Sequence, residues 1–457
     1  MVVGACVVPA VVAARRPPRW PDAVRPATAV GDATCLSCHG DKASYETTAH
    51  RLTSRVPTRA AISGSFDSGA NVLRTANPEV HYRMHADAAG FYQTAVVGRE
   101  ANTTTRTERI AYVFGSGRKG QSYAYWAGDS LYQLPVSYWT TLRGWIISPG
   151  PGYGDGPPNF GRGIGPRCLE CHATWMEGVP DLSVANRHHP TGAILGITCE
   201  RCHAGGQEHV ARERSVLHAF RGPGIVNPAR LSRARQIETC AQCHGGPGAL
   251  LAPEFTYVPG QPLDAYLKLR QTAAEQRMAE YLGPGRPKDD DRVDVHGNQV
   301  ALLARSRCFQ ASQMTCLTCH NVHRQQRDVV ALSGQCVTCH QAQRCGLYPT
   351  RGRAIEGHCV DCHMPLQTSR LIVSTFGGRA EEVKVRTHWI RVYRDSAPTA
   401  PHPAPAHRDT IPAVRGASAA TLGGVSRRIA PTSHPAARAP SPNSAHIVST
   451  SAASTSG

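Results

Sequence analysis

The chain has 457 residues, a formal net charge of +17 and a pI of about 9.4. Its length predicts two or three domains, because domains commonly hold about 100 to 200 residues. Aromatic residues make up only 6%, and the 43 Gly and 34 Pro exceed ordinary usage. This composition argues against an enzyme built around a large apolar core. The abnormal components are 17 Cys and 22 His.

Most of the cysteines belong to one repeated motif. Cys-x-x-Cys-His occurs seven times, whereas random placement would give fewer than one copy. The motif is the attachment signature of haem c, in which two thiols bond to the porphyrin and the following His ligates the iron. We therefore expect seven covalent haem c groups. From the first motif to the seventh, the attaching thiols are Cys35 and Cys38, Cys168 and Cys171, Cys199 and Cys202, Cys240 and Cys243, Cys316 and Cys319, Cys336 and Cys339, and Cys359 and Cys362. The proximal histidines are His39, His172, His203, His244, His320, His340 and His363.

Two other uses of cysteine compete with haem attachment. The fifth and sixth motifs together have the spacing of a zinc ribbon, and a secreted chain could use its thiols for disulfides. Zinc does not need a His after every second Cys, and seven motifs cannot pair evenly into four-thiolate sites. The spare thiols are Cys6, Cys308 and Cys345. Because Cys308 and Cys345 both flank haem motifs, we expect a disulfide between them in an oxidising compartment.

The positive charge and the N-terminus bear on partners and location. Each haem carries two propionates, which would leave the loaded protein only mildly basic, so no nucleic-acid partner is expected. Haem c is attached outside the bacterial cytoplasm, which predicts a periplasmic or otherwise extracytoplasmic protein. The longest apolar run, residues 2–14, is too short to span a bilayer. It has the length of a signal-peptide core but lacks a basic segment before it, so either the export signal is atypical or the true start lies upstream.

The spacing of the motifs predicts the organisation of the chain. Successive motifs begin 133, 31, 41, 76, 20 and 23 residues apart. The short gaps cannot hold independent apolar cores, so the predicted fold is mainly short α-helices and loops packed around stacked haems, with a small antiparallel β insert and a disordered C-terminal tail. The predicted segments are an N-terminal export region (1–30), a first haem module (31–60), a haem-free β-rich insert (61–165), a three-haem cluster (166–250), a helical connector (251–307), a second three-haem cluster (308–395) and a low-complexity tail (396–457).

Local patterns place secondary structure between the motifs. Aromatic and β-branched runs at 110–114, 121–126 and 131–134 are separated by Gly-rich turns, which predicts an antiparallel meander. Apolar residues recur at helical spacing from 263 to 282, and a second helix is predicted from about 298 to 306. The tail has no apolar period and cannot offset its ordering entropy by burial.

Haem c iron usually takes a second axial ligand, and histidine is the expected one. Only six Met are present, so His on both sides should dominate, and coordination without Met lowers the reduction potential. A chain needs about seven residues, at roughly 3.4 Å each, to pass round a porphyrin edge, so His209 and His323 should ligate neighbouring haems. Eleven His outside the motifs and the tail are available: His50, His81, His85, His188, His189, His209, His218, His296, His323, His358 and His388.

Longer segments around the motifs are also distinctive. They are Thr48-Ala-His50, Gly115-Ser-Gly-Arg-Lys-Gly-Gln-Ser-Tyr123, Leu131-Tyr-Gln-Leu-Pro135, Gly196-Ile-Thr-Cys-Glu-Arg-Cys-His203, Asn227-Pro-Ala-Arg-Leu231, Ser306-Arg-Cys-Phe-Gln310, Cys316-Leu-Thr-Cys-His-Asn-Val-His323 and Cys359-Val-Asp-Cys-His-Met-Pro365. Together they resemble the exported multihaem cytochromes with cytochrome c-552/4-type haem modules, over about residues 32 to 395. That family often carries C-terminal tetratricopeptide repeats, and this chain departs from it because only the low-complexity tail follows about Val392.

The resemblance implies both ligands and a function. It implies distal ligands at His50, His209, His296, His323 and His388, with His188, His189, His218 and His358 as further candidates. The expected function is electron transfer between donor and acceptor redox proteins. The alternative is a multihaem oxidoreductase that acts on a small nitrogen or sulfur species at one open haem, most plausibly beside His188 and His189. The chain has no Cys-x-x-Cys-Lys motif, the lysine-ligated site of the nitrite reductase branch.

Overall fold

The computed structural model describes residues 22–99, 102–150, 152–179, 185–215, 224–269, 293–326, 328–376 and 379–393. Most of the predicted export region and the whole predicted tail lie outside these ranges. Within them, no helix combines the length and apolar character that a bilayer crossing requires. This finding agrees with the expectation of no transmembrane span.

Ten strands between residues 54 and 147 form two antiparallel sheets. They are β1 (Ser54–Arg55), β2 (Val72–Arg74), β3 (Val80–Asp87), β4 (Gly90–Val97), β5 (Thr104–Arg109), β6 (Tyr112–Phe114), β7 (Gly120–Ala127), β8 (Ser130–Gln133), β9 (Val136–Trp139) and β10 (Gly144–Ile147). One sheet has the order β1-β6-β7-β9-β10, with β8 paired to β7, and the other has the order β2-β3-β4-β5.

The two sheets share one apolar core. Along β3, Val80, Tyr82 and Met84 are buried while the residues between them face outward, as the two-residue period of a strand requires. The buried amide of Gln93 on β4 joins the sheets, because its Nε2 donates to the carbonyl oxygen of Val136 at 2.8 Å and its Oε1 accepts from the Val136 N–H at 3.2 Å. Each buried polar group in this bridge is therefore paired.

The motif-bearing parts of the chain combine short helices with three strand pairs. The pairs are β11 (Ala173–Trp175) with β12 (Ile194–Leu195), β13 (Gly248–Leu250) with β14 (Leu267–Leu269), and β15 (Leu366–Phe376) with β16 (Arg379–Arg386). The helices are α1 (Asp32–Leu36), α2 (Pro166–Leu169), α3 (Cys199–His203), α4 (Gln207–Glu213), α5 (Arg233–His244), α6 (Gln299–Ala304), α7 (Arg307–Gln310), α8 (Val329–Val337), α9 (Tyr348–Arg351) and α10 (Cys359–His363). Short 3-10 turns lie at Gly40–Thr47, Pro228–Arg230, Leu263–Ala265, Cys316–Thr318, Ala342–Arg344 and Gly352–His358.

The predicted fold class, mainly short helices with a small β insert, is wrong. Helix accounts for 27% and strand for 25% of the structure, and there are five antiparallel sheets. The prediction assumed that apolar burial would come almost entirely from haem. Instead, residues 54–147 bury their own Tyr, Val, Ile and Trp side chains between two sheets, and strands also pair beside the motifs.

The connector also differs from its prediction. Its first predicted helical residues form the 3-10 turn Leu263–Ala265 and then β14, so that part of the prediction is wrong. Tyr266 and Leu267 are buried against α5, and this tertiary packing overrides the helical period. The remaining residues of the predicted helix, from 270 onward, lie outside the described ranges. The second helix is confirmed as α6.

Substitutions in the shared core and on the strand surface should have different effects on the free energy of unfolding. Met84→Ala removes a fully buried side chain, and we expect it to lower the free energy of unfolding by about 2 to 5 kcal/mol. Thr105→Ala, on the exposed face of β5, is the matched control and should change it by less than about 0.5 kcal/mol. Denaturant unfolding followed by circular dichroism measures both. Equal losses would contradict the assignment of this core.

Candidate haem-binding centres

A helical turn within the motif sets the positions of its reactive side chains. In the first, fifth and sixth motifs the proximal His donates its backbone N–H to the carbonyl oxygen of the first Cys. One helical turn puts residues i, i+3 and i+4 on the same face, so both thiols and the imidazole point the same way. The bonds are His39 to Cys35 at 2.9 Å, His320 to Cys316 at 3.0 Å and His340 to Cys336 at 2.9 Å.

Four motif histidines face a histidine from a distant part of the chain. Each pair joins a proximal His to one of the five His expected as distal ligands, and each distal His comes from outside its partner's motif. The pairs are His39 with His209 (6.3 Å between ring centroids), His203 with His323 (6.0 Å), His244 with His50 (6.0 Å) and His320 with His388 (6.3 Å).

This spacing is the one that a shared iron requires. Two metal–nitrogen bonds of about 2 Å each, with roughly 1 Å from each nitrogen to its ring centre, separate two axial imidazoles by about 6 Å. The planes of the rings make angles between 19° and 83° in the four pairs. Rotation about the ligand axis leaves that angle free, so the constant quantity is the distance. The residues present therefore fit haem iron.

His296 is placed near the second motif. Burial lowers the pKa of His172, and the nearby His296 lowers that pKa further. Asp294 holds the His296 loop, because its Oδ1 accepts from the His296 N–H at 2.8 Å and from the hydroxyl of Ser369 on β15 at 2.9 Å. Four of the five expected distal ligands thus face a motif imidazole, and His296 is an electrostatic neighbour of His172.

Hydrogen bonds at the second ring nitrogen orient three proximal histidines. The Nδ1 of His203 lies 2.8 Å from the carbonyl oxygen of Val226, and the Nδ1 of His363 lies 3.0 Å from that of Arg391. The Nδ1 of His244 lies 3.2 Å from the side-chain oxygen of Gln299. Metal-bound histidines commonly donate their other N–H to such an oxygen, which fixes the tautomer and leaves Nε2 for the metal.

Backbone contacts fix the loops that carry distal histidines. The carbonyl oxygen of His50 accepts from the Ile197 N–H at 3.0 Å, directly before the third motif. The buried Ser306 hydroxyl donates to the carbonyl oxygen of His388 at 3.2 Å. The Ser44 hydroxyl donates to the carbonyl oxygen of His323 at 2.9 Å, which joins the first module to the fifth motif.

Burial keeps the imidazoles of His50 and His388 neutral. It lowers the pKa of His50 to about 4, helped by the nearby His244 and His320, and it lowers the pKa of His388 to about 4, helped first by His320. A histidine must be neutral to bind a metal through nitrogen. These side chains are therefore in the ligand form at neutral pH.

Thiols of different motifs lie in contact, which gives the order of the motifs in space. The contacting pairs are Cys35 with Cys199, Cys171 with Cys243, Cys240 with Cys316 and Cys336 with Cys359. They join the first motif to the third, the second to the fourth, the fourth to the fifth and the sixth to the seventh.

Weaker electrostatic interactions between thiols indicate two further pairs of neighbouring motifs. The hydrogen-bonded Cys316, burial and finally Cys202 raise the pKa of Cys240, which places the third motif beside the fourth. Burial and three thiols that include Cys339 raise the pKa of Cys319, which places the fifth motif beside the sixth. These contacts and electrostatic neighbours link all seven motifs, and the fourth has neighbours in the second, third and fifth.

Acidic side chains inside or beside the motifs hold neighbouring motifs together. Glu200, in the third motif, is buried, and its carboxylate accepts from the backbone N–H groups of Val30, Gly31 and Gly206 at 2.9 to 3.2 Å. Asp32, at the start of α1, accepts from the Cys199 N–H at 2.9 Å. The first module is thus anchored to the third motif by charge-assisted hydrogen bonds.

The four further ligand candidates are in different situations. The buried His188 directs Nε2 to the carbonyl oxygen of Ile164 at 2.8 Å, so that nitrogen is already engaged. His189 is exposed, and His218 lies outside the described residues. His358 places Nδ1 3.0 Å from Asp361, which leaves its Nε2 directed elsewhere. Among the described residues, three motif histidines, His172, His340 and His363, have no imidazole partner at the spacing of the four pairs.

The structure bears on two other uses of cysteine, disulfide formation and binding of a bare metal ion. Cys308 and Cys345 are free thiols, so the predicted disulfide between them is wrong. Cys308 lies beside Cys319, and Cys345 lies beside Cys359, so the fold separates the two spare thiols between different attachment sites. Within the described ranges, no three His, Cys, Asp or Glu side chains converge as a metal-ion cage.

Several supporting residues were missed by the sequence reasoning. Glu200 and Glu170 stand between the two cysteines of their motifs, so an acid at that position was a readable signal. Ser306 lay inside a segment already singled out, but its contact with His388 spans 82 residues. Asp294 has no comparable signal.

Comparisons with known proteins were made at three levels. A scan against protein-family models, a search of curated proteins and a search of solved structures found no match to this chain. The functional argument therefore depends on the motifs and on their geometry.

The Glu200 anchor can be tested directly. Glu200→Gln keeps the size of the side chain but replaces a charged acceptor by a neutral amide, and we expect it to lower the free energy of unfolding by about 1 to 3 kcal/mol. Hydrogen exchange should also accelerate at Val30 and Gly31. Glu46→Gln, an exposed carboxylate of the same module, is the control. Unchanged hydrogen exchange at the amides of Val30 and Gly31 in the Glu200→Gln variant would contradict the anchor.

Proposed function

We propose that the chain is a heptahaem c-type cytochrome that transfers electrons between redox proteins outside the cytoplasm. The observation that carries the proposal is the set of four imidazole pairs at 6.0 to 6.3 Å, each joining a motif His to a remote His. Buried aromatic pairs can adopt similar distances. Packing alone, however, gives no reason for every pair to include one Cys-x-x-Cys-His imidazole and one expected distal ligand.

Haem c, when bound, supplies an iron that takes up and releases one electron. The residues of the chain would hold it in three ways: the motif thiols attach it, the motif imidazole binds one side of the iron, and a remote imidazole binds the other. A ligand set of two histidines favours a low reduction potential and closes the iron to other ligands. Such closure suits an electron carrier better than a catalyst.

The connected order of the motifs supports transfer along the molecule. Thiol contacts link the first motif to the third, the second to the fourth, the fourth to the fifth and the sixth to the seventh. Weaker electrostatic neighbours join the third motif to the fourth and the fifth to the sixth, so each described motif is linked to the rest. A carrier needs such continuity between the surface where it receives electrons and the surface where it gives them up.

The second candidate function is a multihaem oxidoreductase acting on a small nitrogen or sulfur species. The observation that favours it is the exposure of His340 in the sixth motif, which has no ring partner among the described residues. The engaged Nε2 of His188 argues against the location expected from the sequence. An open coordination position would then belong to the second cluster rather than to the first.

The number of attached haems tests the proposal first. The intact mass of the exported protein, after acid and organic extraction, should exceed that of the polypeptide by seven haems. Cys243→Ser should weaken or remove one haem, whereas Cys345→Ser, a spare thiol, should remove none. A colourless protein without covalent haem would overturn both candidate functions.

The distal assignment predicts a change of spin state. His388→Ala should open one iron, so that the ferric spectrum gains about one equivalent of high-spin haem and the reduced protein binds about one carbon monoxide. His85→Ala is the control, because His85 stacks on Tyr92 on the outer face of the sheet and away from any motif. A wild-type protein that already binds carbon monoxide and turns over nitrite or hydroxylamine would favour the enzyme.

A further inference from the structure

Glu170 is a fully buried carboxylate between the two thiols of the second motif. Its Oε1 accepts from the Phe255 N–H at 2.7 Å and from the hydroxyl of Tyr266, and its Oε2 accepts from Arg167 at 2.9 Å. Phe255 adopts a positive φ of 62°, a conformation rare for a bulky residue. The surrounding structure therefore holds this backbone N–H in a strained position next to the carboxylate.

A second arginine reaches the same carboxylate from the third motif. Arg201 is 4% exposed, and its Nη2 lies 3.6 Å from Glu170 Oε1. Arg167 also donates to the carbonyl oxygen of Gln242, inside the fourth motif, at 3.0 Å. The side chains of Glu170, Arg167, Arg201 and Tyr266, here called the Glu170 cluster, thus connect three motifs.

The Glu170 cluster holds two positive charges and one negative charge in a poorly solvated place. Charges interact more strongly there than in water, because the effective dielectric constant is low. The cluster lies next to two attachment thiols: the Cys243 thiol is 3.8 Å from the carbonyl oxygen of Glu170, and Cys171 follows Glu170 directly. The nearest redox centres would be those of the second and fourth motifs, which are also in thiol contact with each other.

We propose that the Glu170 cluster sets the reduction potentials of the haems attached at the second and fourth motifs, with Glu170 lowering them and Arg201 raising them. The inference rests on the proposed haem function. In it, Glu170 and Arg201 are positioning residues that act through fixed charge and touch no substrate. Adding an electron to an iron is favoured by nearby positive charge and opposed by nearby negative charge.

The fourth motif gives this tuning a consequence for the whole carrier. In the described structure it has neighbours in the second, third and fifth motifs, so its potential affects transfer that passes between the clusters through the fourth and fifth motifs. A net positive cluster makes it a favourable place for an electron to reside. The same charges fix the relative positions of three motifs, because a buried pair that loses one partner is strongly destabilising.

A double-mutant cycle that removes one charge at a time tests the proposal. Glu170→Gln should raise the potentials of two of the seven haems, and Arg201→Gln should lower those of the same two, in a potentiometric titration followed by optical and magnetic spectra. The double variant Glu170→Gln with Arg201→Gln restores the wild-type net charge and should bring both potentials back toward their original values. Glu170→Asp, which keeps the charge, should also stay near wild type. Glu108→Gln, a carboxylate paired with Arg106 on β5, should shift none.

The outcomes separate the inference from the function on which it rests. Intact mass and low-spin spectra establish first that each variant carries its full set of haems, so a failure there would count against the haem function. If the haems are present but the two single variants shift the potentials in the same direction, or the double variant does not compensate, the charge inference is overturned. Tyr266→Phe keeps all charges and covers the case in which the charge variants do not fold. It should move both potentials downward, because the carboxylate loses a donor that partly offsets its negative charge. Unmoved potentials would contradict electrostatic control by this cluster.

Discussion

The structure depends on one spacing constraint, the gap of about 6 Å between a motif imidazole and an imidazole from elsewhere in the chain. The gap cannot be filled by neighbours in sequence, because a loop must travel round the space between the rings. His50 therefore faces His244, and His209 faces His39, across large sequence separations. Each pair ties a remote segment to a motif, so the path of the chain decides which histidines are paired.

Electrostatics within the motifs makes these long-range ties specific. The two residues between the cysteines carry no role in attachment, yet Glu170, Glu200 and Asp361 occupy that place in three motifs. Glu200 accepts from three backbone N–H groups of other segments, and Asp361 is paired with Arg386 of β16 at 3.0 Å. Because a buried carboxylate without partners is costly, Glu170 and Glu200 favour an arrangement of neighbouring motifs that supplies those partners.

The two-sheet unit supplies what the motif region lacks. Its core of Tyr, Val, Ile and Trp side chains is ordinary protein packing, and it reaches the motifs at definite points. Phe114 of β6 packs edge-on against His172, with ring centroids 5.9 Å apart, and the Ser54 hydroxyl of β1 donates to the carbonyl oxygen of His172 at 2.6 Å. The sheet thus packs against the second motif and supports it. The helix of that motif, α2, is only four residues long.

The sequence by itself determined the seven motifs and the candidate ligands, while the tertiary structure decided which histidines come together. Seven Cys-x-x-Cys-His motifs are readable from short patterns because their spacing is local, and five candidate distal histidines follow from the resemblance of longer segments. The pairing of His323 with His203 and of His388 with His320 was not readable, because it depends on contacts between distant segments. The fold class was wrongly predicted for the same reason. Strands such as β15 and β16 are stabilised by pairing with each other, and their local sequence pattern does not identify the partner strand.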